Sequence, residues 1–285
     1  MSRRGTVGLV QTIQPHALHR VAVAVEDTTA ISKWFTRVLG AASLHRHDPT
    51  ESADIMGNLA GTDTTIIWSC GHPFVLLHGP MVARFLERSG PGVQSMAWEV
   101  DDNWATEHAV RDRGIEVISP NIPGRFFFMR PKDTSGLLIE FCDAWMLRHL
   151  EAPVVPEGLV GPVELAWVTG VVADVDATAG WLTELLDVEL VDGNPKGDES
   201  LERTIDLTVG NTTVRLVTPT SPESRYAAAL DSRPSWHSFA LRVPDLDATL
   251  AVLKGEGADT VYRDGSLAAT DPAGTMGLRI DWVSP

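Results

Sequence analysis

Arg20-Val-Ala-Val-Ala-Val-Glu-Asp-Thr-Thr-Ala-Ile-Ser-Lys-Trp-Phe-Thr-Arg-Val-Leu-Gly40 decides the fold, because the rest of the chain repeats it. Its first half is rich in valine, which suits a strand. Asp27 is positioned to cap a helix. In that helix Ala30, Ile31, Trp34, Phe35, Val38 and Leu39 fall at steps of three and four, and Gly40 supplies the stop. The unit is a strand, a turn and a one-sided helix.

A shift of 75 residues lays Val21 to Asp27 over Met96 to Asp102, with Ala30 over Ala105. A shift of 147 lays Asp27, Ala30, Trp34, Thr36 and Leu39 over Asp174, Ala177, Trp181, Thr183 and Leu186. A shift of 143 lays Ala97, Val100, Asp102, Ala105, Thr106 and Gly114 over Ala240, Val243, Asp245, Ala248, Thr249 and Gly257. The chain therefore holds four copies of one unit. A period of about 70 residues is too long for a solenoid, so each copy must be a block of one helix and several strands.

Paired blocks make two domains. The expected division is an N-terminal arm over residues 1–16, a first domain over 17–150, a linker over 151–162 and a second domain over 163–285. The linker is assigned from its proline and glycine content at the point where the repeat requires a boundary. In the first domain, strands are expected near 43–47, 64–69, 74–78, 115–118, 125–129 and 137–142, with a short helix over 81–89 and another over 104–113.

Composition narrows the function. With 285 residues and 44% hydrophobic content the chain can fill cores of this size. A net charge of −15 opposes nucleic acid and anionic membrane surfaces, which call for a basic face. Cys70 and Cys142 suggest neither a disulfide framework nor a thiolate zinc site, and they imply reduced thiols and a cytoplasmic location. The apolar run after Arg3 and Arg4 breaks at Gln11, too soon for a signal segment, and no stretch is long and apolar enough to span a bilayer.

Four β-α-β-β-β blocks, with Glu140 in a closing Gly-Leu-Leu-Ile-Glu-Phe strand, resemble the vicinal oxygen chelate superfamily of glyoxalases, methylmalonyl-CoA epimerases, extradiol dioxygenases and bleomycin-resistance proteins. The nearest wording is to the epimerases, through Met96 to Asp102 and Met129 to Glu140. The resemblance implies an α+β fold of two glyoxalase-like domains with curved open sheets, each able to hold a divalent metal on histidine and carboxylate ligands. Carried onto this chain, the four ligand positions of the first domain fall at Arg20, Val75 (or Leu76), Ser95 and Glu140, with His19 one residue early. Those of the second domain fall at Trp167, Arg215, Ser238 and Asp281, with His237 one residue early. A one-residue offset in a regular strand points a side chain to the opposite face.

Two readings follow from these substitutions. In one, bulges swing His19 and His237 inward and a metal is bound, giving a metal-dependent epimerase through His19 and Glu140. In the other, which we adopt, no cofactor is used: Arg20 replaces the metal and holds a substrate oxygen while Glu140, ionised beside it, moves a proton. The expected chemistry is isomerisation, epimerisation, cyclisation or elimination next to a carbonyl, and the rival is a sequestering protein of the bleomycin-resistance type. Ser95, His72, His78, Trp68 and Trp98 are the expected substrate contacts, and Phe126-Phe127-Phe128 is expected to send alternate rings into core and pocket. Asp281 and Arg215 are read as an ion pair, and His45 and His47 as a solvated strand edge. The expected partner is a small, aromatic or carbonyl-containing molecule, and the expected assembly a monomer or homodimer.

Overall fold

The computed structural model describes residues 12–47, 61–118, 124–143, 153–192, 199–232 and 235–285. The first domain begins with β1 (Ala17–Ala24), α1 (Thr28–Leu39), β2 (Ala42–His47), β3 (Asp63–Ser69) and β4 (His72–His78). A short α2 (Ala83–Ser89) leads to β5 (Gly92–Glu99), α3 (Asn103–Asp112), β6 (Val117–Ile118), β7 (Phe126–Met129) and β8 (Ile139–Cys142). The second domain repeats the plan with β9 (Glu164–Val171), α4 (Val175–Leu185), β10 (Val188–Val191), β11 (Glu202–Val209) and β12 (Thr212–Pro219). It closes with α5 (Ala227–Ser232), β13 (Ser235–Arg242), α6 (Leu246–Gly255), β14 (Thr260–Asp264), β15 (Leu267–Thr270) and β16 (Ile280–Val283).

Each domain is an open sheet of eight strands, ordered β2-β3-β4-β1-β5-β8-β7-β6 and β10-β11-β12-β9-β13-β16-β15-β14. Modules meet through antiparallel pairs of their first strands, β1 with β5 and β9 with β13. Within a module the first strand runs parallel to the last, as in β1 with β4 and β5 with β8. The repeated aspartate explains the helix starts. Asp27, Asp102, Asp174 and Asp245 each accept a hydrogen bond from the backbone N–H of the alanine three residues on, at 2.9 to 3.0 Å.

One face of each sheet packs on its helices, and these faces merge into a single core. Val21, Val23 and Val25 of β1 lie in it with Ile31, Trp34 and Phe35 of α1, and so do Phe239, Leu241 and Trp282 of the second domain. The rings of Phe74 and Phe239 are 5.5 Å apart across the domain boundary. The linker is pinned as well. Leu159 and Val160 donate backbone hydrogen bonds to the carbonyls of Arg37 and Val38, which the end of α1 leaves unpaired. Gly40 stands there at φ 70, where a β-carbon would run into the Pro156 carbonyl.

The N-terminal arm is held at its end rather than trailing. Ile13 is buried, its N–H bonded to the Leu185 carbonyl at 3.0 Å and its own carbonyl to Asp187 N–H at 2.8 Å. This ties the first domain's leading segment to the C-terminus of α4. Residues 1–11 of the arm and residues 151–152 of the linker lie outside the described residues.

Candidate functional site

The opposite face of each sheet is shaped by bulges in the opening strands. In the β1–β5 ladder Leu18 pairs with Trp98 and Arg20 with Ala97, leaving His19 without a partner position, and Gln94 is skipped in the same way between Ser95 and Val93. In the second domain the skipped residues are His237 and Ala166. Leu18 and Val21 both belong to the helix-side core, so the two residues between them share the other face. This corrects the expectation that the one-residue offset turns His19 away from Arg20. The Nδ1 of His19 lies 2.8 Å from Nη1 of Arg20. A guanidinium only donates, so Nδ1 accepts and the ring proton is on Nε2, a buried atom that finds no hydrogen-bond partner. Burial, and then the Arg20 charge, hold His19 neutral.

Arg20 donates from Nη2 to Oε1 of Glu140, and both side chains are buried. They form the floor of a cavity of about 190 Å³. Its walls are Ala22, Val75 and Leu77 from β1 and β4, Phe126 and Phe128 from β7, and Leu138; Met81 and Ile118 also line it, each 43% exposed. Gln94 and Ser95 add the remaining polar groups. Phe126 and Phe128 meet edge to face at 5.9 Å, while Phe127 turns into the core against Phe141. Glu140 differs from its expected state. Burial pushes its carboxyl up to about 7 against the opposing pull of Arg20, so at neutral pH it is poised between its two forms rather than fully ionised.

Arg20, Ser95 and Glu140 thus come together, and the other expected contacts do not join them. His72 and His78 lie an odd number of residues from Val75 and Leu77 on β4, so the pleat directs them to the other face, and Nδ1 of His78 sits 3.0 Å from the Val25 carbonyl. Trp98 is core, its ring 6.2 Å from Trp236. Trp68 is half-buried opposite Pro73 and is not one of the cavity walls. The side chains of His45 and His47 lie outside the described residues. Sequence reasoning missed Gln94, which faces the cavity only because of its bulge.

The second domain lays two ion pairs across the corresponding face. Contrary to the expectation of an Arg215–Asp281 ion pair, the two take different partners. Arg215 makes a two-pronged bond to Asp206, at 2.8 Å on each prong, and lies 3.7 Å over the Trp167 ring. Asp281 is taken by Arg225 at 2.6 Å and by the Ser238 hydroxyl at 3.1 Å. Arg225 is flanked by the rings of Tyr226 and Tyr262 at 4.5 and 4.6 Å.

Among the described residues neither face groups a metal-binding set. Of the four ligand positions in the first domain, Val75 has no donor atom, Arg20 is a cation and Glu140 is the only carboxylate, and no group of three or more His, Cys, Asp or Glu side chains suited to a metal ion occurs among the described residues. Both cysteines are buried and free.

Fold and site together define a two-domain protein of paired glyoxalase-like modules. The family profile for the Glyoxalase/Bleomycin resistance protein/Dioxygenase superfamily matches residues 17–141 and 164–276, and the chain belongs to that superfamily. Among solved structures, a mutant of 4-hydroxymandelate synthase from Streptomyces coelicolor is similar over 95% of this chain and 92% of its own, at 15% identity and TM-score 0.68. A fusion of a xylose isomerase-like TIM barrel with 4-hydroxyphenylpyruvate dioxygenase is similar over all of this chain and 51% of its own, at 14% identity and TM-score 0.62. Methylmalonyl-CoA epimerase from Mycobacterium tuberculosis is 30% identical over 42% of this chain and 87% of its own, with a TM-score of 0.39. No curated protein matches the sequence. No helix among the described residues is long and apolar enough to cross a membrane.

Proposed function

We propose that the first domain is a metal-independent active site for proton transfer next to a carbonyl. The observation that carries this reading is the buried Arg20–Glu140 pair on the floor of an apolar pocket, with the Glu140 carboxyl raised to about 7. Arg20 supplies the fixed positive charge that a metal gives elsewhere. It would hold a substrate carbonyl oxygen and stabilise the enolate as negative charge moves onto it. Glu140, near its midpoint at neutral pH, takes the proton from the adjacent carbon as carboxylate and returns it as acid, to a neighbouring atom for isomerisation or, once the enolate has turned its other face, to the same carbon for epimerisation. His19 holds Arg20 in position through Nδ1. An apolar cavity of about 150 Å³ already admits benzene, so this pocket suits a substrate with one ring or a short branched chain.

The test is deuterium wash-in from D2O, followed by proton NMR, across a panel of small carbonyl compounds with an acidic neighbouring C–H. Half of the panel carries an aryl group. The expected result is exchange in some members that persists in excess chelator and disappears in Glu140→Gln. Exchange that stops with chelator and returns with a divalent ion would support the metal-dependent epimerase instead. The dominance of apolar groups in the pocket walls favours one further reading, a sequestering protein, which predicts tight binding with no exchange in the parent chain.

A further inference from the structure

The cleft between the two domains gathers cations, in a chain whose net charge is −15. Arg88 of α2, Arg225 from the segment before α5 and Arg279 just ahead of β16 line a cavity of about 300 Å³ there, together with His237, Phe85 and Trp236. The walls are fixed. Pro91 packs so close to Gly277 that a β-carbon on the glycine would stand 2.6 Å from the proline ring, and Trp236 Nε1 donates to the Leu138 carbonyl at 2.9 Å.

The donors in this cleft are short of acceptors. Arg225 spends its two terminal nitrogens on Asp281, Nη2 also reaching the Tyr226 hydroxyl, while its buried Nε finds no partner. The buried Nδ1 of His237, on the β13 bulge, is likewise without one. Arg279 is half-buried, and no carboxylate among the described residues pairs with it. Burial pulls its pKa down. Desolvated donors without acceptors are costly, and an oxyanion supplies acceptors.

We propose that this interdomain cleft is a binding site for a small organic oxyanion, a carboxylate or a phosphate, held by Arg279 and Arg88, with Nε of Arg225 and, in its Nδ1–H tautomer, His237 as further donors. The apolar side chains of Phe85, Trp236 and Ala229 would receive its organic part. The site is separate from the pocket of the first domain and lies one helix away from it. Phe85 and Leu86 of α2 also pack on Ala22, Val75 and Leu77, which back that pocket.

Isothermal titration of the full chain with succinate and with inorganic pyrophosphate, at constant ionic strength, tests this and separates the two oxyanion chemistries. The expected result is one-to-one binding of at least one probe with Kd below about 1 mM. Binding should weaken by about tenfold or more in Arg279→Ala and be unchanged in Arg203→Ala, which alters an exposed arginine paired with Asp176. Without anion, the Tm of Arg279→Ala should equal or exceed that of the parent, since an unpaired desolvated charge has been removed. Failure of both probes to saturate the chain, binding that survives Arg279→Ala, or a marked fall in the Tm of that variant would each overturn the proposal.

Discussion

In the first domain the β4 residue beside Ala22 in the pocket wall is Val75, and in the second the corresponding β12 residue, beside Thr169, is Arg215. Around this pair the two faces diverge. Arg215 closes a two-pronged bond with Asp206 and covers Trp167, so this arginine and this carboxylate are paired with good geometry. On the Val75 side the space stays open, and the one buried carboxyl meets an arginine without being held fully ionised. The same repeat thus yields a face whose charges serve structure and an open face whose charge pair is left reactive. Buried ion pairs are weak evidence of stabilisation by themselves, whereas a perturbed carboxyl in a cavity points to chemistry.

The largest expected effect is on turnover. Glu140→Gln should lower it by about 10²- to 10⁴-fold in a wash-in assay, while Asp281→Asn should leave it unchanged. Equal losses from both would erase the distinction between the faces.

Stability should show the reverse asymmetry. Arg215→Met strands Asp206 in the core and should cost about 3 to 5 kcal/mol in denaturant unfolding, most of it recovered by Arg215→Met combined with Asp206→Leu. Arg20→Met should cost less, because Glu140 can take up a proton and become neutral. Matching losses at the two arginines would contradict the account.

The pH dependence sharpens the contrast. Glu140 is raised from 4.5 to about 7 in the fold, so between those values the native chain keeps a proton that the unfolded chain has released. Its contribution is therefore complete below pH 4.5 and falls away as the pH climbs through 7. The difference in unfolding free energy between the parent and Glu140→Gln should slope downward with pH by at most about 1.4 kcal/mol per unit. A flat difference would mean that the carboxyl is ionised throughout.

The smallest effect is expected at the paired serines. Ser95→Ala should weaken ligand binding by about tenfold or less, the worth of one hydrogen bond. Ser238→Ala, which removes a bond to Asp281, should alter stability alone.

Much of this architecture was legible from the aspartate-to-alanine spacing, because that spacing is itself the capping interaction and recurs wherever a helix begins. Glu140 and Arg20 could be located by counting from those caps. The bulges could not. A skipped residue leaves the composition of a strand unchanged, so His19 read as facing away and Gln94 was passed over until the ladder showed otherwise. The partner of Arg215 was hidden for a related reason, since Asp206 lies directly across the β11–β12 ladder and only the register brings it there. Trp98, His72 and His78 were chosen for their chemistry, whereas strand parity decides which face they occupy.

The reading turns on Arg20, and not a metal ion, supplying the positive charge of the first domain's pocket. Its most direct test is the divalent metal content of tag-free protein, measured by elemental mass spectrometry after dialysis against a mixture of zinc, nickel, manganese and cobalt salts. The account predicts far less than one ion per chain, with no change in Glu140→Gln. One ion per chain in the parent, lost in Glu140→Gln and in His19→Ala, would contradict it.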